Sequence, residues 1–427
     1  MSVQSEGAAP GRYRHYVLGV LLTVYTFNYL DRQIVAILLP ALKVEFALSD
    51  TQLGLLSGFA FAVFYATLGI PIAVLADRVS RKWIVAASLS IWSAMTVLSG
   101  TAGSFAQLLM YRVFVGVGEA GGSPPAHSII SDYYKPRERG TALGIYSLGI
   151  PIGLLLGMVI GGQILEHYGW RMAFYVAGIP GLLIALLLAL TVKEPRRGAA
   201  EDTPVADLGT APKLMETIRF MMGNRALVHI FAASTLNAFV GYGFIAWVPT
   251  FFVRDHGMSP GELSIWLGLI IGIFGGLGTF AGGYFADRLA ARRGEGWRAY
   301  VIAIPLLLSL PFGIGLFFVG DATLALMLFI PPAFIGSLFV GPALSVVQGS
   351  VSVQMRAVAS AFYFFVLNFI ALGGGPFTIG FLSDLLVPVY ETDALRYAML
   401  AVAFVNIWAL LHYVLAGRAL ARQAKAA

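Results

Sequence analysis

The 427-residue chain contains no cysteine, which excludes disulfide staples, thiol nucleophiles and thiolate metal sites. Charge is almost as scarce: Asp, Glu, Lys and Arg make up 12% of the residues against 58% hydrophobic ones, a balance foreign to soluble domains. Histidine is limited to six positions, and His229, His256 and His412 are too dispersed to suggest metal-ligand spacing. A phosphate loop is missing too, because the glycine-rich GIFGGLGTFAGG has no GKS or GKT ending. No ATP use, metal or other cofactor is therefore expected.

What the chain does have is long apolar runs, with a mean hydropathy of +0.80. Its 49 glycines and 20 prolines sit largely inside those runs, as membrane helices tolerate. A span needs about 20 mainly apolar residues. Candidates fall at 16–40, 51–75, 83–103, 106–129, 140–165, 171–191, 226–251, 261–286, 298–319, 322–350, 357–385 and 394–416. The first run carries no small-residue cleavage site, so it is expected as a retained helix rather than a signal peptide. Only 192–225 is both long and polar. It divides the chain into an N-terminal six-helix bundle (1–191), an inter-domain loop (192–225) and a C-terminal six-helix bundle with its tail (226–427). Leu214, Ile218, Met221 and Met222 fall near helical spacing within the loop and predict a short interfacial helix there.

Lys and Arg set the orientation. With the N-terminus inside, 22 of them fall in cytoplasmic segments and four outside, while Arg32 and Arg112 lie within spans. Both termini are thus expected in the cytoplasm. The net charge of +6 follows from this topology, and no nucleic-acid partner is expected.

One pattern occurs twice. LADRVSRKW follows the second span, with Asp77, Arg78, Arg81 and Lys82, and GGYFADRLAARRG ends the eighth, with Asp287 and Arg288. An acidic–basic turn at the same place in each half is an internal repeat of about 210 residues, and repeated halves suit alternating access to one central site. Read as a latch, such a turn pairs an acid at a cytoplasmic helix end with arginine on the facing half. Arg112, in YRVFVGVGEAG, is grouped with these gating residues.

The DRxxRK turn, its second copy and the six-plus-six layout resemble the major facilitator superfamily over essentially the whole chain. The first copy departs from the common pattern at Ala73, where a glycine usually precedes the acid by four. The wording FNYLDRQIVAILLPALK, GLLSGFAFAVFYATLGIPIAVLADRVSRK and RVFVGVGEAGGSPPAHSIISDYY is similar to the spinster family of sphingolipid and lysolipid transporters. The chain is identified as a bacterial member of that family. The resemblance implies twelve transmembrane helices in two pseudo-symmetric bundles, an all-α membrane protein, in a bacterial inner membrane.

Against that apolar background the buried charges stand out. A lone ion at mid-bilayer costs about 2.5–3.5 kcal/mol on insertion scales, yet Asp31 and Arg32 interrupt the first span about 22 Å up its helix. Arg112 and Glu119 lie seven residues apart on the fourth and share a face. The resemblance implies that the first and fourth helices line the cavity, and that acids matching Asp31 and Glu119 carry protons. The expectation is one cluster in which Arg32 exchanges between Asp31, Glu119 and an anionic substrate head. An apolar site raises a carboxylate's pKa and a neighbouring arginine lowers it, so each exchange would bind or release a proton. The plainer alternative is a fixed ion network stapling the two helices.

For the substrate, Tyr29, Arg32, Phe61 and Tyr65 are expected on one wall of the cavity and Asn237, Tyr363 and Asn368 on the other. His127, beyond Pro124 and Pro125, is a weaker candidate for relaying protons. The leading reading is a monomeric proton-coupled transporter of a lipid-like or amphipathic molecule. The alternative is a multidrug or metabolite exporter. An intramembrane enzyme or a non-transporting sensor is disfavoured, since no nucleophile–base pair appears and the latch is present in both halves.

Overall fold

The computed structural model describes residues 11–76, 78–200 and 214–426, which form an all-α protein crossing the membrane twelve times. The N-terminal crossings are Gly11–Phe46; Asp50–Ser57 with Phe59–Ala76; Arg81–Ser99; Phe105–Glu119 with Ser123–Tyr133; Pro136–Ser147 with Gly149–Tyr168; and Trp170–Thr191. The C-terminal six are Arg225–His256; Pro260–Leu267 through Gly275–Arg293; Trp297–Gly315; Ala322–Gly336 with Val340–Gly349; Arg356–Val366 through Gly373–Tyr390; and Ala394–Ala403 with Val405–Ala426. With an even number of crossings, both described ends lie on one side of the membrane.

Among the described residues, nine helical runs are long and apolar enough to span, the last of them, Val358–Ala424, holding two crossings. The two crossings outside that set are the first and the fourth. Asn28, Asp31, Arg32 and Gln33 interrupt the first, and the fourth breaks at 120–122 before resuming at Ser123. Apolar length alone therefore misses the two helices that carry Asp31, Arg32, Arg112 and Glu119.

Local sequence explains where helices start and bend. Ser49 and Gln52 form a capping box at the second crossing, and Ser259 caps the eighth just before Pro260. Gly257 ends the seventh in a left-handed conformation, φ 64°, which a side chain would disfavour. The eighth and eleventh crossings loosen into π-helical turns at Gly268–Phe274 and Leu367–Leu372, a local widening common at functional sites. The linker helix Leu214–Gly223 packs Thr217 and Met221 inward and exposes Leu214, Met215, Phe220 and Met222.

The two halves close on each other at the side away from the ends. There the start of the second crossing lies backbone against backbone on the eleventh: a Cβ on Gly54 would sit 2.6 Å from the Pro376 carbonyl oxygen, and one on Gly58 2.5 Å from that of Gly373. The fifth and eighth crossings meet similarly at Gly162 and Ser264. Toward the ends the same seams part, and Gly69, Gly144 and Gly283 have nothing within 4 Å of an added Cβ. A cavity of about 1470 Å³ fills the space between the halves and reaches the side where the ends lie.

Candidate functional site

Neighbouring residues on a helix point about 100° apart, so Asp31 and Arg32 cannot share a partner easily. They divide the fourth crossing between them. Arg32 Nε donates to Glu119 Oε2 at 2.5 Å. Asp31 Oδ2 faces Arg112 Nη1 at 3.5 Å, while Asp31 Oδ1 accepts from Thr96 Oγ1 at 2.7 Å. The expected single arginine exchanging between two acids is thus replaced in this conformation by two separate pairs bridging the same two helices. Arg112 belongs to this buried group and not to the gate. It lies two turns from Glu119 on one helix face and is only 2% exposed.

The two pairs differ in access. Arg32 and Arg112 line the cavity, whereas neither Asp31 nor Glu119 does. The Arg32 guanidinium is held among three rings, 4.3 Å from the centroid of Tyr65, 4.8 Å from Phe61 and 5.0 Å from Tyr29, a cation–π setting that favours the charge without fixing its hydrogen bonds. Its side chain keeps 15% exposure, while that of Glu119 has none. Arg32 therefore stands between Glu119 and the cavity. Each carboxylate also retains one buried oxygen without a hydrogen bond, Asp31 Oδ2 and Glu119 Oε1.

Around the pairs the cavity has two unlike walls. The N-terminal wall presents Arg32, Arg81, Arg112, Tyr25, Tyr29, Tyr65 and His127. His127 stands edge-on to Tyr146 at 5.2 Å. The C-terminal wall is neutral, with Asn237 and Asn368 set among Phe329, Phe339, Phe364 and Phe365. Asn237 donates to the Gly336 carbonyl at 3.3 Å. Among the described residues no Asp or Glu lines the cavity, against three arginines. Tyr363 departs from expectation: it is 1% exposed and packs edge-on against Phe231 at 5.3 Å inside the C-terminal core. Its helix presents Phe364 and Phe365 to the cavity instead.

The partners of the expected gating residues lie here in their own halves or at the start of the inter-domain loop. Arg81 is 1% exposed and binds Asp132 at 2.5 Å, Ser128 and Glu194 at 2.8 Å, and the Pro195 carbonyl at 2.9 Å. Arg78 is exposed. Lys82 stands 5.0 Å from the Trp83 ring centroid. Asp287 pairs with Arg298 at 2.5 Å, and Arg288 donates to the Tyr284 hydroxyl at 2.8 Å. Asp77 lies outside the described residues. Sequence reasoning missed Thr96, which carries no charge to stand out from its helix. It also missed Asp50, a charge at a helix end, where charges are ordinary. Asp50 is 2% exposed and binds Arg254 through both oxygens at 2.7 Å, joining the halves on the closed side.

Comparison with known proteins agrees with this architecture. The model of the Major Facilitator Superfamily matches residues 21–376. An MFS-type efflux pump of Mycolicibacterium smegmatis is 33% identical over 90% of this chain and 87% of its own. Protein spinster homolog 1 of Homo sapiens is 31% identical over 94% of this chain and 80% of its own. The crystal structure of a bacterial homolog of the human lysosomal transporter Spinster, in an inward-facing and unoccupied conformation, superposes with a TM-score of 0.87. It is 31% identical and covers 97% of this chain and 99% of its own. This chain is a multi-pass membrane protein that belongs to the major facilitator superfamily of secondary transporters and is related, within it, to the spinster family.

Proposed function

We propose that this protein is a proton-coupled transporter of an amphipathic, lipid-like substrate, working by alternating access from a bacterial inner membrane with both termini in the cytoplasm. The observation that carries the reading is the Arg32–Glu119 pair at the cavity wall, with Arg32 caged by aromatic rings and Glu119 sealed behind it. An anionic head group in the cavity competes with Glu119 for Arg32. Once Arg32 turns outward, Glu119 is a buried carboxylate without its cation and takes up a proton. Asp31, held by Thr96 and Arg112, is the second acid, and it exchanges when the cavity opens to the other side. The arginine-lined N-terminal wall suits the head group, and the phenylalanine-rich C-terminal wall suits an apolar chain. The substrate is carried by a monomer and needs no cofactor.

The likeness to an efflux pump supports a second reading, export of soluble amphiphilic compounds through the same cluster. Reconstituted vesicles separate the two. The lipid reading expects translocation of a fluorescent anionic lysolipid, inhibited by unlabelled lysolipid. Movement of a cationic drug dye with no lysolipid movement would reject it in favour of export.

A further inference from the structure

An α-helix begins with four backbone N–H groups that lack intrahelical partners. On the closed side, two crossings complete that set only with the help of the other half. At the second crossing, Ser49 accepts from Gln52 N, and the next two amides turn outward across the seam. Asp50 N donates to Asp384 Oδ1 at 3.0 Å and Thr51 N to Asp384 Oδ2 at 2.7 Å, with Thr51 Oγ1 adding a third bond at 2.6 Å. Asp384 belongs to the eleventh crossing. At the eighth crossing, Ser259 accepts from Glu262 N, Pro260 has no N–H, and Gly261 N donates to Glu166 Oε2 at 2.5 Å. Glu166 belongs to the fifth crossing, where Gln163 also donates to the Gly261 carbonyl at 2.8 Å.

The second and eighth crossings are equivalents under the internal repeat, and so are the fifth and eleventh. Each half thus lends a carboxylate from its fifth helix to cap the second helix of the other. We propose that Asp384 and Glu166 are the gating carboxylates of the closed side, acting as reciprocal caps that are made and broken together as the two halves rock. The geometry fits a two-state closure. Both carboxylates meet the positive end of a helix, where an anion is favoured. Both bonds need contact too close for side chains, since a Cβ on Gly261 would lie 2.3 Å from Glu166 Oε2 and one on Gly380 2.1 Å from the Asp50 carbonyl oxygen. Rocking the halves apart on this side removes both caps at once and leaves the amides to water. The Asp50–Arg254 pair crosses the same seam. The rocking itself rests on the transporter reading; the caps are tested without it.

The cysteine-free chain allows spin labels at Val44→Cys, at the exposed end of the first crossing, and Glu391→Cys, just after the eleventh, with distances measured by pulsed electron resonance. In the Asp384→Asn/Glu166→Gln double variant the open-to-closed ratio is expected to rise at least about tenfold, equivalent to about 1.4 kcal/mol. Each single variant should shift it less. Thr51→Val removes one bond to Asp384 and leaves the rest of the seam in place, so it should shift the ratio slightly in the same direction. Glu45→Gln, which breaks an exposed pair with Arg171 inside one half, should change nothing. Unchanged distances in the folded double variant overturn the proposal. If the double variant does not fold, unchanged distances in both Thr51→Val and Glu166→Gln overturn it. Absence of substrate movement by the unmodified protein would count against the transporter reading and leave this distance test standing.

Discussion

Gly153 links the packing of the fifth crossing to the position of the charged pairs. It lies against the first crossing so closely that an added Cβ would stand 2.4 Å from the Thr26 carbonyl oxygen, 2.7 Å from Tyr29 Cβ and 3.0 Å from Leu30 N. The nearest obstacle is backbone and cannot rotate away. Ordinary contact begins at 3.4 Å, so Gly153→Ala must drive the two helices apart locally by about 1 Å, in an interior packed as tightly as an organic crystal. Overpacking of this kind costs typically 1–3 kcal/mol. The displaced segment also carries Tyr29, Asp31 and Arg32, so the 2.5 Å bond to Glu119 is strained together with the helix contact. The expectation is a lower unfolding temperature and at least a severalfold slower transport rate in vesicles, normalised to folded protein. Gly144→Ala, where nothing lies within 4 Å, is the control and should match the unmodified protein in both assays. Equal stability and rate for Gly153→Ala and Gly144→Ala would refute the reasoning.

Two further outcomes follow from the ends of the N-terminal helices on the open side of the cavity. Arg81→Ala strips a buried arginine from Asp132 and Glu194 and is expected to cost about 3–5 kcal/mol, read as a large drop in unfolding temperature; a change under one degree would contradict the assignment. Burial pushes the Glu194 carboxyl upward, but hydrogen bonds from the Lys82 amide, Arg81 and Ser80 outweigh it and hold the group below its usual range. A lowered folded-state pKa means stability that is present at neutral pH and lost as the pH falls through the folded value. The stability gap between the unmodified protein and Glu194→Gln should therefore be full at pH 7 and shrink once the pH falls below the ordinary glutamate pKa of about 4.3; a gap independent of pH would contradict it.

The charged pairs were legible in the sequence for a simple physical reason. Asp31, Arg32, Arg112 and Glu119 are ions in apolar runs, and such ions are too costly to be incidental. Their pairing was not legible. Helical phase says that Arg112 and Glu119 share a face, but which acid meets which arginine depends on helix rotation and side-chain reach, and only the structure shows Asp31 with Arg112 and Arg32 with Glu119. Aromatic residues were harder still. Phe61 and Tyr65 reach the cavity and Tyr363 turns into the core, although all three sit in similarly apolar sequence. The closed side was invisible for the opposite reason. Asp50, Arg254 and Asp384 fall at or near helix ends, where charge costs little and carries little information.

The central claim is that Asp31 and Glu119 couple proton movement to substrate movement, and one experiment addresses it directly. Proteoliposomes holding unmodified protein, Asp31→Asn or Glu119→Gln are given an imposed pH gradient, and substrate accumulation is measured per folded protein alongside equilibrium binding. The account predicts that each neutral side chain mimics a permanently protonated acid: binding stays detectable while gradient-driven accumulation is abolished. Accumulation that still follows the gradient at unmodified levels in both variants would contradict the account and leave the two acids as fixed staples between the first and fourth helices.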